Sequence, residues 1–157
     1  MKIQLGSGDK FWPGFCNVDK HTAIADVHSD CVKIPFETES ADEIHAIHLF
    51  EHIQRIQAED AVRDWLRVLK KGGKLVLELP CLDKICKMYV DGEKNMRLTL
   101  LGLYGDPRDT RPGMEHQWGW GKEEITHCLR EAGFKSVEVM EPKFHIAERD
   151  MRVEAVK

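Results

Sequence analysis

The chain has 157 residues, 42% of them hydrophobic and 32% charged, with a formal net charge of -4, which suits one soluble core and argues against a nucleic-acid or anionic-membrane partner. Its start, Met1-Lys2-Ile3-Gln4-Leu5, lacks the apolar region of a signal peptide, and no apolar run approaches the roughly 20 residues of a membrane span. Five cysteines, Cys16, Cys31, Cys81, Cys86 and Cys128, are an odd number without a Cys-x-x-Cys pair, which excludes a disulfide framework and fits a cytoplasmic protein with reduced thiols.

Short apolar runs at Ile3 to Leu5, Phe15 to Val18, Ala25 to Val27 and Ile44 to Leu49 read as buried parallel strands. From Ile53 to Leu69, apolar residues recur every three or four positions, predicting an amphipathic helix stopped by Gly72-Gly73. A strand at Lys74 to Leu79 ends at Pro80, and a second helix is expected over Leu82 to Val90. Within residues 91 to 121, Leu98 to Leu103 can be helical, while "GDPRDTRPGMEHQWGWG" reads as a long ordered loop of the kind that often carries function. "KEEITHCLREAG" is a helix closed by Gly133, and "FKSVEVM" and "RDMRVEAVK" form an antiparallel strand pair. Strands alternating with helices and closing on a hairpin indicate an open α/β sheet in a single domain, residues 1–157.

In such sheets ligands sit beyond the carboxyl ends of the strands, where glycines let the backbone approach closely. Gly6-Ser7-Gly8 occupies that place after the first strand, and Asp19 ends the second, eleven residues after Gly8. A dinucleotide fingerprint would want glycine where Phe11 stands, and no Gly-Lys-Ser/Thr follows the first strand, so a P-loop is excluded. Two readings remain. One is a tight turn and nothing more; the other is a ligand with an amino-acid carboxylate beside the glycines and a ribose whose hydroxyls meet Asp19.

The second reading gains from Leu5-Gly6-Ser7-Gly8, Pro13-Gly14-Phe15, Asn17-Val18-Asp19, Asp30, Ile34-Pro35-Phe36, Asp42-Glu43-Ile44, Phe50-Glu51-His52 and Leu66 through Gly73. In these motifs the chain resembles the class I S-adenosylmethionine-dependent methyltransferases, in particular a small subgroup similar to the type 11 methyltransferases. The resemblance covers residues 3 to about 80, and more loosely the C-terminal half through "HQWGWGKEEITHCLREAGF". It implies a Rossmann-like, mostly parallel seven-stranded sheet with helices on both faces and a C-terminal antiparallel strand pair. It also implies S-adenosylmethionine as cofactor, held by Leu5, Gly6, Ser7, Gly8, Asp19, Lys20, Asp30, Cys31, His48 and Leu49. Gly6 and Gly8 would pass under the methionine part, Asp19 would accept from the ribose hydroxyls, Asp30 with the following amide would read the adenine edge, and His48 would lie near the sulfonium. Only six residues separate Gly8 from Phe15, too few for the full helix that follows the first strand in that family.

His45, His48 and His52 with Glu51 invite a metal reading, but a strand position and a helix start need not bring the three rings together, and no metal is expected. Glu51-His52 either faces the cofactor pocket or caps the helix that follows. The loop residues Tyr104, Asp106, Arg108, Asp109, Arg111, His116, Trp118 and Trp120 are the candidates for contact with a methyl acceptor, although the two tryptophans can equally staple the loop to the body. The expected reaction moves a methyl group to an oxygen or nitrogen of a small polar molecule, with His116 first and His52 second as catalytic base. The alternatives are a protein that binds the cofactor without catalysis and an NAD-dependent oxidoreductase, the latter disfavoured by Phe11 and by the absence of a Tyr-x-x-x-Lys pair.

Overall fold

A computed structural model describes residues 1–92 and 96–157. Residues 93–95, part of the stretch 91–121, lie outside the described residues. The strands are β1 (Lys2–Leu5), β2 (Cys16–Asp19), β3 (Val27–His28), β4 (Ala41–Ile47), β5 (Leu69–Pro80), β6 (Ser136–Met140) and β7 (Asp150–Val156); the helices are α1 (Arg55–Val68), α2 (Leu82–Val90), α3 (Met96–Tyr104) and α4 (Lys122–Ala132), with a 3-10 turn at Phe50–His52. One seven-stranded sheet runs in the order β3-β2-β1-β4-β5-β7-β6. Neighbours are parallel from β3 to β5, and β7 is antiparallel to both β5 and β6.

The register aligns side chains in rows across the sheet, and alternation sends successive rows to opposite faces. Ile3, Ile44, Leu75 and Ala155 make one apolar row, and Leu5, Ala46, Leu77 and Val153 the next. All eight are fully buried in the core. Helix α1 packs Ala58, Ala61, Val62, Trp65 and Val68 into that core, and α4 adds Ile125, Cys128 and Leu129. The alternate rows carry Lys2, Glu43 and Lys74, and then Gln4, His45, Val76 and Glu154. That second face is therefore polar.

The connections β1–β2, β2–β3 and β3–β4 contain no helix, so the trimming on this side of the sheet goes beyond the first helix. Loop aromatics stand in. Trp12 and Phe15 meet the His45 ring at 5.5 and 5.0 Å, and Trp12 packs on Phe144 at 5.1 Å. Asn17, fully buried, ties this short loop: its amide nitrogen donates to Asp26 and to the carbonyls of Trp12 and Phe15, and its oxygen accepts from the Trp12 N–H. Ion pairs serve where a core would otherwise sit, with Arg152 reaching Glu78 and Glu154 at 2.8 Å each and Lys74 reaching Glu154 at 2.9 Å.

Several boundaries differ from expectation. Helix α1 ends at Val68, and β5 already begins at Leu69, running through Gly72-Gly73. The Lys157 ammonium donates to the Leu69 carbonyl at 2.6 Å, and Leu69 pairs with Ala41, so tertiary partners end the helix before the glycines can. The second strand runs Cys16–Asp19, the third is only Val27–His28 and the fourth begins at Ala41, whereas α2 and α4 match their expected spans, with Gly133 in the left-handed region closing α4.

Candidate active site

The carboxyl ends of β1, β2 and β4 open onto a cavity of about 650 Å³. At its floor the chain leaves β1 through Gly6 (φ +63°) and Gly8 (φ +52°), both left-handed. A Cβ on Gly6 would stand 2.8 Å from Leu49 Cδ1, whereas one on Gly8 would meet nothing within 4 Å. Gly6 lets β1 and β4 close, and Gly8 turns the chain with empty space above it. The Gly8 N–H then donates to Asp19 Oδ2 at 2.9 Å. The other carboxylate oxygen accepts from the N–H groups of His21 and Thr22 at 2.8 and 3.0 Å. Burial pushes the Asp19 pKa up, but these amides outweigh it and hold it below the usual value. One acid thus fixes both the glycine turn and the turn after β2, which explains why the two lie only eleven residues apart.

Gly6, Gly8, Asp19, Lys20, Asp30, Cys31, His48 and Leu49 line this cavity. Ser7 lines an adjoining one of about 440 Å³, and Leu5, on the apolar face, belongs to the core. Asp30 accepts from the Val32 N–H at 2.9 Å and pairs with Lys20 at 3.1 Å, and both lower its pKa. Burial pushes the Cys31 thiol up to about 12, so it stays protonated.

His48 takes a left-handed backbone (φ 50°) that few non-glycine residues adopt, its N–H bonded to the Glu78 carbonyl at 2.7 Å. Its ring lies 2.8 Å from Glu51 and 3.4 Å from Asp150. Burial opposes the charge, yet Asp150 and Glu51 raise the His48 pKa to about 9, so the imidazolium is the form at neutral pH. The His145 ring packs against it in a tilted arrangement, centroids 4.0 Å apart. Sequence reasoning passed over His145, although a signal existed: an antiparallel last strand starts at the ligand end of the sheet, so the β6–β7 loop must lie beside the site.

The loop after α3 crosses above. Arg111, Pro112, Gly113, Met114 and Gln117 line the cavity, and Arg111 reaches Asp9 of the glycine turn at 3.4 Å. The Gln117 and Trp118 N–H groups donate to the Glu51 carbonyl at 2.7 and 3.3 Å. The tryptophans part company. Trp120 is fully buried, stacked on Phe50 at 4.7 Å, and staples the loop to the core, while Trp118 is 41% exposed and donates to Glu124. Tyr104, Asp106, Arg108 and Asp109 do not line the cavity; Asp106 pairs with Arg108, and Asp109 with Arg111.

His52 lines the cavity and His116 does not, but their rings meet edge to face at 4.9 Å. His45 turns instead to the polar face and Glu43, 2.6 Å away, so it does not join the other histidines. Burial holds the His116 pKa below its ordinary value, leaving a neutral ring.

This sheet order with a reversed β7, ligand cavity at the carboxyl ends and glycine turn tied to an acid define the fold of the class I methyltransferases. Residues 11–77 match the family model described as a methyltransferase domain. Solved structures of similar fold include a SAM-dependent methyltransferase, possible histamine N-methyltransferase, from Thermotoga maritima, at 15% identity and a TM-score of 0.68 over 99% of this chain and 81% of that one. Another from Archaeoglobus fulgidus has 14% identity and a TM-score of 0.68 over 99% and 85%, and one from Methanosarcina mazei has 13% and 0.66 over 99% and 91%. Among curated proteins, no sequence matches this chain. The resemblance to S-adenosylmethionine-dependent methyltransferases is thus borne out, over residues 11–77 in sequence and over nearly the whole chain in fold. All three of these neighbours are described as SAM-dependent. Among the described residues, no helix is long and apolar enough to cross a membrane.

Proposed function

We propose that the chain is one methyltransferase domain that moves the methyl group of S-adenosylmethionine to an oxygen or nitrogen of a small polar acceptor, without nucleic acid or membrane as partner. The observation that carries this reading is the Gly8–Asp19 hydrogen bond at the floor of a cavity that Asp30, Cys31, His48 and Leu49 also line. A carboxylate offers about four lone-pair sites. Three amides leave Asp19 one for a ribose hydroxyl, Cys31 can present its amide beside Asp30 to an adenine edge, and the open space above Gly8 suits an amino-acid group.

The sulfonium makes the methyl carbon electrophilic before the protein acts, so the chain's share is alignment and exclusion of water. His48 carries a positive charge and is unsuited to remove a proton. The neutral ring of His116 suits a base, with His52 second. Arg111 to Met114 cover the cavity and give the acceptor polar and apolar contacts.

Calorimetry with S-adenosylhomocysteine tests the pocket. Transfer of a labelled methyl group to a pool of small metabolites then separates the enzyme from a protein that only binds the cofactor, since the latter binds and transfers nothing. Absence of binding in a folded protein removes both readings.

A further inference from the structure

One ligand atom each from Glu51, His52 and His116 lie within 4.8 Å of one another. His52 Nδ1 lies 3.2 Å from the Glu115 carbonyl and His116 Nδ1 lies 2.9 Å from the Gly102 carbonyl. A carbonyl only accepts, so each Nδ1 carries the hydrogen and each Nε2 of a neutral ring is a bare lone pair. Glu51 is 1% exposed; its Oε1 lies 2.8 Å from the His48 ring, and its buried Oε2 has no hydrogen-bond partner. The His48 imidazolium balances the charge of this buried carboxylate, but the lone pairs of the two neutral rings beside it are left without a donor or a cation, which is costly.

We propose that Glu51, His52 and His116 bind a divalent transition-metal ion of the zinc class. Two imidazoles and one carboxylate are a familiar zinc donor set that leaves a fourth position open. Backbone carbonyls that fix the Nδ1–H tautomer are the outer support such histidines use. Donors on one tetrahedral zinc ion stand roughly 3.4 Å apart, so side-chain rotation of at most ~1.5 Å closes the set. The ligands come from the 3-10 turn and from the loop beyond α3, and the ion would join them. His52 lines the cavity, so the open position faces it. His45 and His48, with which the sequence pattern grouped His52, take no part.

The assignment goes beyond the methyl-transfer reading and does not rest on it. Where both hold, His52 and His116 act as ligands in place of a base. The ion would make an acceptor hydroxyl more acidic, so that its proton could pass to water as its oxygen bonds the methyl carbon and the carbon–sulfur electron pair leaves with S-adenosylhomocysteine.

The test is titration of chelator-stripped full chain with Zn²⁺ by calorimetry and with Co²⁺ by visible absorption. One ion per chain, with the intensified visible bands of a four-coordinate site and no thiolate charge-transfer band, is the expected result. Loss of one ligand should weaken binding at least ~100-fold, the upper end of what losing outer support costs. Glu51→Gln, which keeps the shape, and His116→Ala should both show this, and Zn²⁺ should raise the melting temperature of the parent but of neither variant. No binding, equal binding by the variants, or a thiolate band from the cysteines overturns the proposal. S-adenosylhomocysteine titrated separately reports on the cofactor pocket, so either reading can fail alone.

Discussion

The two faces of the sheet solve the same problem by different means. On one, α1 and α4 close over Ile3, Leu5, Ile44, Ala46, Leu75 and Leu77, and burial of apolar surface does the work. On the other, Gln4, His45, Glu78 and Arg152 lie under loop aromatics, held by ion pairs and by the Asn17 hydrogen bonds. A strand face can forgo its helices only if its residues are polar and partnered, because a loop brings too little apolar surface to cover an apolar row. The exchange shortens the chain and places Trp12 and Phe144 at the side of the site.

The difference should be largest for a core residue on the helical face. Trp65 is fully buried, packs on Phe50 at 5.6 Å and donates its indole N–H to the Cys31 carbonyl at 2.8 Å. Trp65→Ala should cost about 3–5 kcal/mol in urea unfolding. A loss under 1 kcal/mol would mean that the helical layer does not carry the fold.

Arg152 makes the matching test on the polar face. Arg152→Met removes the partner of Glu78, which is fully buried, and should cost roughly 3 kcal/mol, the low end for breaking a buried pair, since the Lys143 and Phe144 N–H groups still bond Glu78. Adding Glu78→Gln removes the stranded charge but keeps an acceptor. More than half of the loss should return. If the double variant is as unstable as the single one, packing of the arginine stem over Phe144, and not charge, sustains that face.

How much of this was legible beforehand follows the same division. Three- and four-residue periodicity located α1, and Gly133 closed α4, because those signals are local. The end of α1 was hidden, since Lys157 and Ala41, both distant in sequence, decide it. The polar rows could not be recognised without the register: Gln4, His45 and Glu78 look like interruptions in apolar runs until they line up on one face. Glycine and acid marked the cavity floor because a tight turn and a strand end are read from neighbours. The meeting of Glu51 and His52 with His116 depends on a loop that crosses from beyond α3, and no spacing announces it.

Where the faces end and the site begins, a substitution should change binding beyond what it costs in stability. Asp19→Ala deletes the acceptor for the Gly8, His21 and Thr22 amides and, on the proposed reading, for a ribose hydroxyl. It should weaken S-adenosylhomocysteine binding by about 1.5–3 kcal/mol, the usual worth of charged hydrogen bonds. Unchanged affinity in calorimetry would reduce Asp19 to a turn residue.

The smallest effect expected is a pH dependence carried by the polar face. Lys74, first, and Arg152 hold Glu154 at about 2, well below its ordinary value near 4.5. Burial pushes Asp150 up, but His48 and Arg149 outweigh it and bring it to about 2. Both carboxylates release their protons more readily folded than unfolded, so the unfolded chain binds more protons between the two values and folding stability rises with pH there. Their contribution is complete above the unfolded carboxylate range and drains away as pH falls from about 4.5 towards 2. The apolar rows titrate nothing. Glu154→Gln should therefore flatten part of the stability loss on acidification while leaving the response to urea at neutral pH close to that of Glu154-containing protein with its pairs screened by salt. Melting curves from pH 6 to 2.5 at low and high salt measure both. An acid limb that is equally steep in Glu154→Gln would assign the sensitivity to other carboxylates, and the polar face would then be held by its aromatic cover more than by its charges.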